Sequence, residues 1–233
     1  GGSQWEKKHV TEAMYLTGFD DYGTENIWVT GSNSICRASD SGTTWIYLPK
    51  YGSSANRGVY LSFISPTEGW FGICEGGTSP ILSHTIDGGM NWAAVNAPKK
   101  AEKLLWNMNF VSSQSGFMLF FNGEIWRTDD AGKSWMLKGK LPSGKRLLQE
   151  KNYGQWHSAM RFTTSDNGII VVYYEKPRGF VAFATMDGGK SWTEESLPAE
   201  ALVFHGSIYL SRDRKYLSVT DLESNTVVVC RRK

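Results

Sequence analysis

Four aspartates occur at the same place in four copies of a short segment, and paired carboxylates can hydrolyse a glycoside. Most glycoside hydrolases hold two of them about 5–10 Å apart across the scissile bond. Taken without context, Asp40, Asp87, Asp130 and Asp187 are therefore candidate acids and bases. Each copy has Asp third, Gly fifth and Trp eighth: ASDSGTTW (38–45), TIDGGMNW (85–92), TDDAGKSW (128–135) and TMDGGKSW (185–192).

The spacing of the copies instead indicates a structural unit that recurs along the chain. The tryptophans Trp45, Trp92, Trp135 and Trp192 are 47, 43 and 57 residues apart. One four-stranded propeller blade takes about 40–50 residues. A fifth copy opens the chain, where GGSQW aligns with GGKSW (188–192) and places Trp5 40 residues before Trp45.

Each repeat carries the strands of one blade. Strand-length apolar runs such as VYLSFIS (59–65) and GWFGIC (69–74) are joined by short polar turns typical of hairpins. The last repeat lacks an outermost strand, which residues 4–9 would supply by pairing with 226–232, leaving no sheet edge open. The sequence therefore predicts one all-β domain over residues 1–233, a five-bladed β-propeller of four-stranded antiparallel blades closed by its N-terminal strand. The predicted blades span 13–48, 59–96, 104–141, 156–198 and 204–232 plus 4–9.

The repeated residues have structural roles in such a blade. Each Asp lies between the third and fourth strands, where its carboxylate can accept backbone N–H groups and fix the turn. The Gly two positions later supplies a positive φ, and the Trp packs against the blade. We assign these structural roles to Asp40, Trp45, Asp87, Trp92, Asp130, Trp135, Asp187 and Trp192.

The four segments resemble the Asp-box, or bacterial neuraminidase, repeat S/T-x-D-x-G-x-T/S-W; the first copy departs from it, with Ala38 where Ser or Thr is usual. The resemblance covers most of the chain. It implies a propeller similar to those of sialidases, related glycan-active proteins and photosystem II assembly factors, and an exported protein. It does not carry over an active site, because the Arg-Ile-Pro motif of sialidases is missing and sialidases have six blades. The assembly factors usually have seven blades, so that interpretation ranks last.

Composition excludes several classes of function. The formal net charge is +2 and no run of five or six like charges occurs, which argues against a nucleic-acid partner. No apolar stretch approaches the roughly 18 residues of a transmembrane helix. Cys36, Cys74 and Cys230 form no CxxC or Cys/His cluster, so no metal or cofactor is predicted. We expect three buried thiols, or alternatively one disulfide, and a monomeric chain.

The predicted ligand-binding face is the end of the channel where the innermost strands enter. The longest loop there (138–156) carries five basic residues and one acidic residue. Long loops in compact domains are often functional, so this loop either binds an acidic glycan or acidic protein surface, or is simply solvated. Trp106 and Trp156 either stack on a sugar or fill the channel. The candidate ligand-binding residues are Arg57, Lys103, Trp106, Lys145, Arg146, Tyr153, Trp156, His157 and His205.

Binding is favoured over catalysis. The predicted innermost strands contain no Asp or Glu that could project into the channel: 13–17, 59–65, 105–111, 158–164 and 204–210. The sequence thus favours a non-catalytic module that binds a glycan or a protein or assists assembly. The alternative is a sialidase-like glycoside hydrolase or lyase acting on an acidic glycan, which the repeat alone supports.

Overall fold

The computed structural model describes residues 18–31, 34–48, 59–73, 80–99, 105–142, 146–147, 158–176, 178–197, 208–221 and 226–231. These residues form strands and turns, with no helix among them. The strands make five antiparallel sheets arranged around a channel. The chain is a five-bladed β-propeller, which confirms the predicted fold class.

The strands of each blade follow one another from the channel outward. Blade 1 has β1 (Gly18–Tyr22), β2 (Asn26–Gly31), β3 (Ser34–Ala38) and β4 (Ile46–Tyr47). Blade 2 has β5 (Val59–Phe63), β6 (Gly69–Ile73), β7 (Ile81–Thr85) and β8 (Ala93–Val95). Blade 3 has β9 (Leu105–Phe110), β10 (Gly116–Phe120), β11 (Glu124–Thr128) and β12 (Met136–Lys140).

The last two blades depart from this pattern. In blade 4, the second strand pairs with two strands on the same side. It pairs with the innermost strand along one part of its length and with a two-residue strand from the long loop further along. This blade has β13 (Arg146–Leu147), β14 (Ser158–Phe162), β15 (Gly168–Lys176), β16 (Arg178–Thr185) and β17 (Thr193–Glu195). Blade 5 has three described strands, β18 (Ile208–Leu210), β19 (Tyr216–Asp221) and β20 (Thr226–Arg231). Residues 4–9 lie outside the described residues, so closure by that segment stays a prediction.

Aromatic stacks join the first four blades. In each stack, a ring from the second strand of one blade lies nearly parallel to a Phe ring from the innermost strand of the next. The centroid distances are 3.7 Å for Trp28–Phe63, 3.8 Å for Trp70–Phe110 and 3.6 Å for Phe117–Phe162. All six rings are buried or nearly so, and such contacts add to the hydrophobic burial between sheets. The core of the propeller therefore lies between neighbouring blades.

The boundary between blades 4 and 5 has smaller side chains. Ile169 and Leu210 stand where the first three boundaries have an aromatic stack, and they line an apolar cleft of about 330 Å³. At those three boundaries, a repeat tryptophan also lies edge-on to the innermost-strand Phe: Trp92 on Phe63, Trp135 on Phe110 and Trp192 on Phe162. The tryptophan that the repeat assigns to blade 5 is Trp5, outside the described residues.

Candidate functional site

The innermost strands carry a ring of polar side chains at equivalent positions, each hydrogen-bonded to the following blade. Three of them accept a backbone N–H. Asp20 Oδ2 accepts from Phe63 N at 2.6 Å, Ser62 Oγ from Phe110 N at 2.8 Å, and Asn109 Oδ1 from Phe162 N at 2.7 Å. Each bond satisfies a buried amide that would otherwise be costly to leave unpaired.

The other two members of the ring are donors. Arg161 Nε donates to Leu210 O at 3.2 Å, and the Tyr209 hydroxyl donates to Asp21 Oδ1 at 3.0 Å. Burial raises the pKa of Tyr209 to about 12, with Asp21 adding to the effect, so this hydroxyl keeps its proton. The Tyr209–Asp21 bond joins blade 5 to blade 1. The innermost strands therefore close the ring through their own side chains.

The position of Asp20 and Asp21 corrects one prediction. Gly18–Tyr22 is the innermost strand of blade 1, whereas 13–17, which lies outside the described residues, was expected there. The innermost strands therefore do contain acids, and the expectation of none was wrong. The segment GFDDY lacks the apolar pattern of the other innermost strands, so the sequence did not identify it as one of them. Its aspartates are tolerated at this position because residues from other blades neutralise them.

Asp20 is the centre of a charged cluster at one end of the channel. Its side chain is 1% exposed, and Oδ1 accepts hydrogen bonds from Arg161 Nη2 and Arg212 Nη2, each at 3.2 Å. Arg212 Nη2 also donates to Phe63 O at 3.0 Å, and its Nε lies 3.6 Å from Asp21 Oδ2. Both carboxylate oxygens of Asp20 thus accept hydrogen bonds.

The cluster compensates the buried charge of Arg161. Burial alone would lower the pKa of Arg161, but the negative charge of Asp20 and the hydrogen bond to it outweigh burial and hold that pKa above its usual value. A buried guanidinium without such a partner would be strongly destabilising. The arginine is therefore fixed in place as a cation beside the channel.

Both arginines line a pocket of about 240 Å³. Its polar lining also includes Asn109 and Thr163, and its apolar walls come from Ile64, Phe110, Val111 and Phe162. Ile64, Val111 and Thr163 each directly follow an innermost strand. The pocket therefore opens at the hairpin end of the channel, opposite the face that the sequence predicted to bind ligands.

The repeat aspartates bond to their own turns. Asp130 Oδ1 accepts from Thr128 Oγ1 and Ser134 N, both at 2.8 Å, and Oδ2 accepts from Ser134 Oγ at 2.6 Å. The Ser134 hydroxyl, followed by its backbone N–H, lowers the pKa of Asp130 to about 2. Such a carboxyl is ionised at neutral pH and cannot act there as a general acid.

The other three copies show how closely the turn follows its sequence. Asp87 and Asp187 make the same kinds of contact, and Asp40 accepts from Thr43 N and Thr44 N at 2.9 Å each. Ala38 has no hydroxyl to add a bond. The fifth residue of each copy has a positive φ, as at Gly132 with +87°, which is why the turn requires glycine there.

The predicted ligand-binding residues are not brought together by the described part of the structure. Trp106 is 2% exposed and belongs to the core, tilted against Phe121 at 5.2 Å, so its ring has no face available for a sugar. Arg146 lies in β13, which pairs with Tyr174 and Lys176. The remaining candidates lie outside the described residues: Arg57, Lys103, Lys145, Tyr153, Trp156, His157 and His205.

The described residues contain neither a metal-binding cluster nor a membrane-spanning helix. Within the described ranges, no group of three His, Cys, Asp or Glu side chains could hold a metal ion. Cys36 and Cys230 are not in disulfides, and Cys74 lies outside these ranges. In the same part of the chain, no helical stretch has the length and hydropathy to cross a bilayer.

Comparisons with known proteins identify the fold. No protein-family model and no curated protein matches the sequence. Among solved structures, "YCF48 bound to D1 peptide" is 18% identical with a TM-score of 0.59, over 94% of this chain and 67% of that one. YCF48 from Cyanidioschyzon merolae is 14% identical with a TM-score of 0.58, over 97% and 74% of the two chains. At these identities the similarity shows the propeller fold alone.

Glycoside hydrolases are also among the similar structures. The GH74 xyloglucanase from Xanthomonas campestris is 13% identical with a TM-score of 0.54, over 92% of this chain. This chain spans 36% of that enzyme's length. The similar structures thus include a peptide-bound propeller and polysaccharide hydrolases. The geometry of the pocket, rather than the similarity in fold, has to distinguish peptide binding from hydrolysis for this chain.

Proposed function

We propose that this chain is a non-catalytic propeller module that binds an acidic segment of another protein at the hairpin end of its channel. The observation that carries the proposal is the pocket between Arg161 and Arg212. Their shared acid, Asp20, is buried with both oxygens committed, while the two guanidiniums line the cavity. The groups offered to a ligand are therefore guanidinium N–H donors.

The described acids at this site are unsuited to hydrolysis. A general acid must meet the substrate and deliver a proton to the leaving group. Asp20 is 0% exposed, and Asp21 accepts the Tyr209 hydroxyl beside Arg212. Both aspartates thus stabilise the ring of blades, which favours binding over catalysis.

The size of the pocket favours a protein segment over a polysaccharide. Ligand sites that enclose a drug-sized molecule are typically about 300–1,000 Å³. A cavity of about 240 Å³ suits one side chain or chain terminus, and a sugar chain would need a longer groove. The similarity in fold to YCF48 bound to D1 peptide adds support for a peptide ligand.

Three polymers separate the candidate functions. Poly-L-glutamate, polygalacturonate and xyloglucan are titrated calorimetrically at low and high salt, and the polysaccharides are also assayed for released reducing ends. We expect binding of poly-L-glutamate that weakens as salt rises, because salt screens exposed charges over about 8–10 Å. Preferential binding of polygalacturonate would favour a glycan ligand. Reducing ends released by the wild type and not by Asp20→Asn would make the chain a hydrolase.

A further inference from the structure

We infer that the channel pocket is a specific seat for a single carboxylate at the end of a short aliphatic chain, such as a glutamate side chain. This inference rests on the proposed function and narrows it to one chemical group. Arg161 Nη2 and Arg212 Nη2 converge on one oxygen of Asp20 at 3.2 Å each. The two guanidiniums are therefore held side by side beside the cavity.

Each guanidinium retains a donor group for a ligand. Among the described residues, Arg161 hydrogen-bonds through Nε and Nη2 and Arg212 through Nη2 alone, with its Nε 3.6 Å from Asp21 Oδ2; neither makes a hydrogen bond through Nη1. A guanidinium presents its N–H groups in a planar fork that matches the two oxygens of a carboxylate. The Nη1 groups of the two arginines are therefore the donors that we assign to an incoming carboxylate.

The charge around the pocket favours a monoanion. Asp20 and Asp21 balance Arg161 and Arg212, so an incoming anion meets a formally neutral cluster and is held mainly by hydrogen bonds. Removing a phosphate or sulfate dianion from water costs more than removing a carboxylate, and a neutral cluster offers no net attraction to offset that cost. The site should therefore discriminate by charge as well as by shape.

The walls favour a carboxylate attached to methylene groups. Ile64, Phe110, Val111 and Phe162 line the same cavity as the arginines, and apolar walls gain from contact with an aliphatic chain. Butyrate and the side chain of N-acetyl-glutamate amide present this combination. The first stands for a free small acid and the second for an acid carried by a protein.

The experiment compares small probes on matched variants. Butyrate, N-acetyl-glutamate amide, uncharged butyramide, phosphate and sulfate are titrated into the full chain by calorimetry. We expect the two monocarboxylate probes to bind, and butyramide and the inorganic anions to bind at least about tenfold more weakly, the scale of one charged hydrogen bond. Arg212→Gln should weaken butyrate binding by a similar factor, and Arg212→Lys should restore it only in part.

The control variant lies in the same turn as Arg212. Lys215 lines the cleft between blades 4 and 5 rather than the channel pocket, so Lys215→Gln should leave butyrate binding unchanged. Arg161→Gln is a second test, read only if its circular dichroism matches the wild type. Equal loss with Lys215→Gln, equal binding of phosphate and butyrate, or no binding of either carboxylate probe would overturn the inference.

The two proposals can fail separately. If poly-L-glutamate binds and neither small carboxylate does, the single-carboxylate seat is wrong and the acidic-segment function stands. If butyrate binds in an Arg212-dependent manner and poly-L-glutamate and N-acetyl-glutamate amide do not, the seat takes free small acids and the protein-segment function is wrong.

Discussion

Replacing Asp20 by Ala tests the charged cluster that holds the channel together. The change leaves Arg161, whose side chain is 12% exposed, without its buried counter-charge, and leaves Phe63 N–H without its acceptor at 2.6 Å. Removing one partner of a buried ion pair costs about 3–5 kcal/mol. Since 1 kcal/mol shifts the Tm of a domain of this size by about 2–4 °C, the Tm should fall by roughly 6–20 °C.

The assay is thermal unfolding followed by circular dichroism and calorimetry at neutral pH. Asp166→Ala is the matched control, because Asp166 is an exposed aspartate whose carboxylate lies 3.8 Å from Arg127 Nη1, and exposed pairs contribute little. It should hardly change the Tm. The double variant Asp20→Leu with Arg161→Met should recover part of the loss, since it removes both buried charges. A Tm for Asp20→Ala within experimental error of the wild type would refute the argument.

The remaining predictions concern the repeat turns, the open cleft and the long loop. Because the pKa values of Asp87 and Asp130 are lowered to about 2 by hydrogen bonds and that of Asp187 is also lowered, their stabilisation is complete above about pH 4, the unfolded value. It should be lost as the pH falls towards 2, and urea titrations should show a shallower loss in Asp130→Asn. Trp135 is half-buried, so Trp135→Ala should reduce the free energy of unfolding by about 2 kcal/mol, below the 3–5 of a core Trp; a loss under about 0.5 kcal/mol would contradict its packing role. Trp5→Ala, or deletion of residues 1–9, should lower the Tm if Trp5 fills the cleft beside Leu210, and an unchanged Tm would exclude that. Arg146 pairs with Lys176 at the end of β15, far from the pocket, so reversing Lys145 and Arg146 to Glu should leave poly-L-glutamate binding intact. Weakened binding would indicate that the ligand binds at the long loop instead.

The fold could be predicted because its signal is local and repeated. The Asp, Gly and Trp of each copy act within one turn, as the hydrogen bonds from Thr128 and Ser134 to Asp130 show. Because these contacts join residues that are close in the sequence, the residues that make them recur at a regular spacing. That spacing predicted the number of blades.

The candidate site could not be predicted because its residues come from three blades. Asp20 is separated from Arg161 by 141 residues and from Arg212 by 192 residues. Nothing near Arg161 in the sequence marks it as facing a carboxylate. The equivalence of Asp20, Ser62 and Asn109 is recognisable only after the strands are aligned by register. Such an alignment places Ser62 and Asn109 one residue before the Phe that ends the innermost strand, and Asp20 at the matching place before Asp21. It is the signal that could have located the ring.

The polar side chains of the ring also restrict which blades can follow one another. Blades of similar sequence could otherwise exchange places or pair with a second molecule. The junctions after blades 1, 2 and 3 each present a backbone N–H that needs an acceptor. Arg161 can only donate, and it meets a carbonyl on blade 5. Moved to any of the first three junctions, it would set donor against donor, so the pattern of donors and acceptors around the channel matches blade 4 to blade 5 and excludes it from those three junctions.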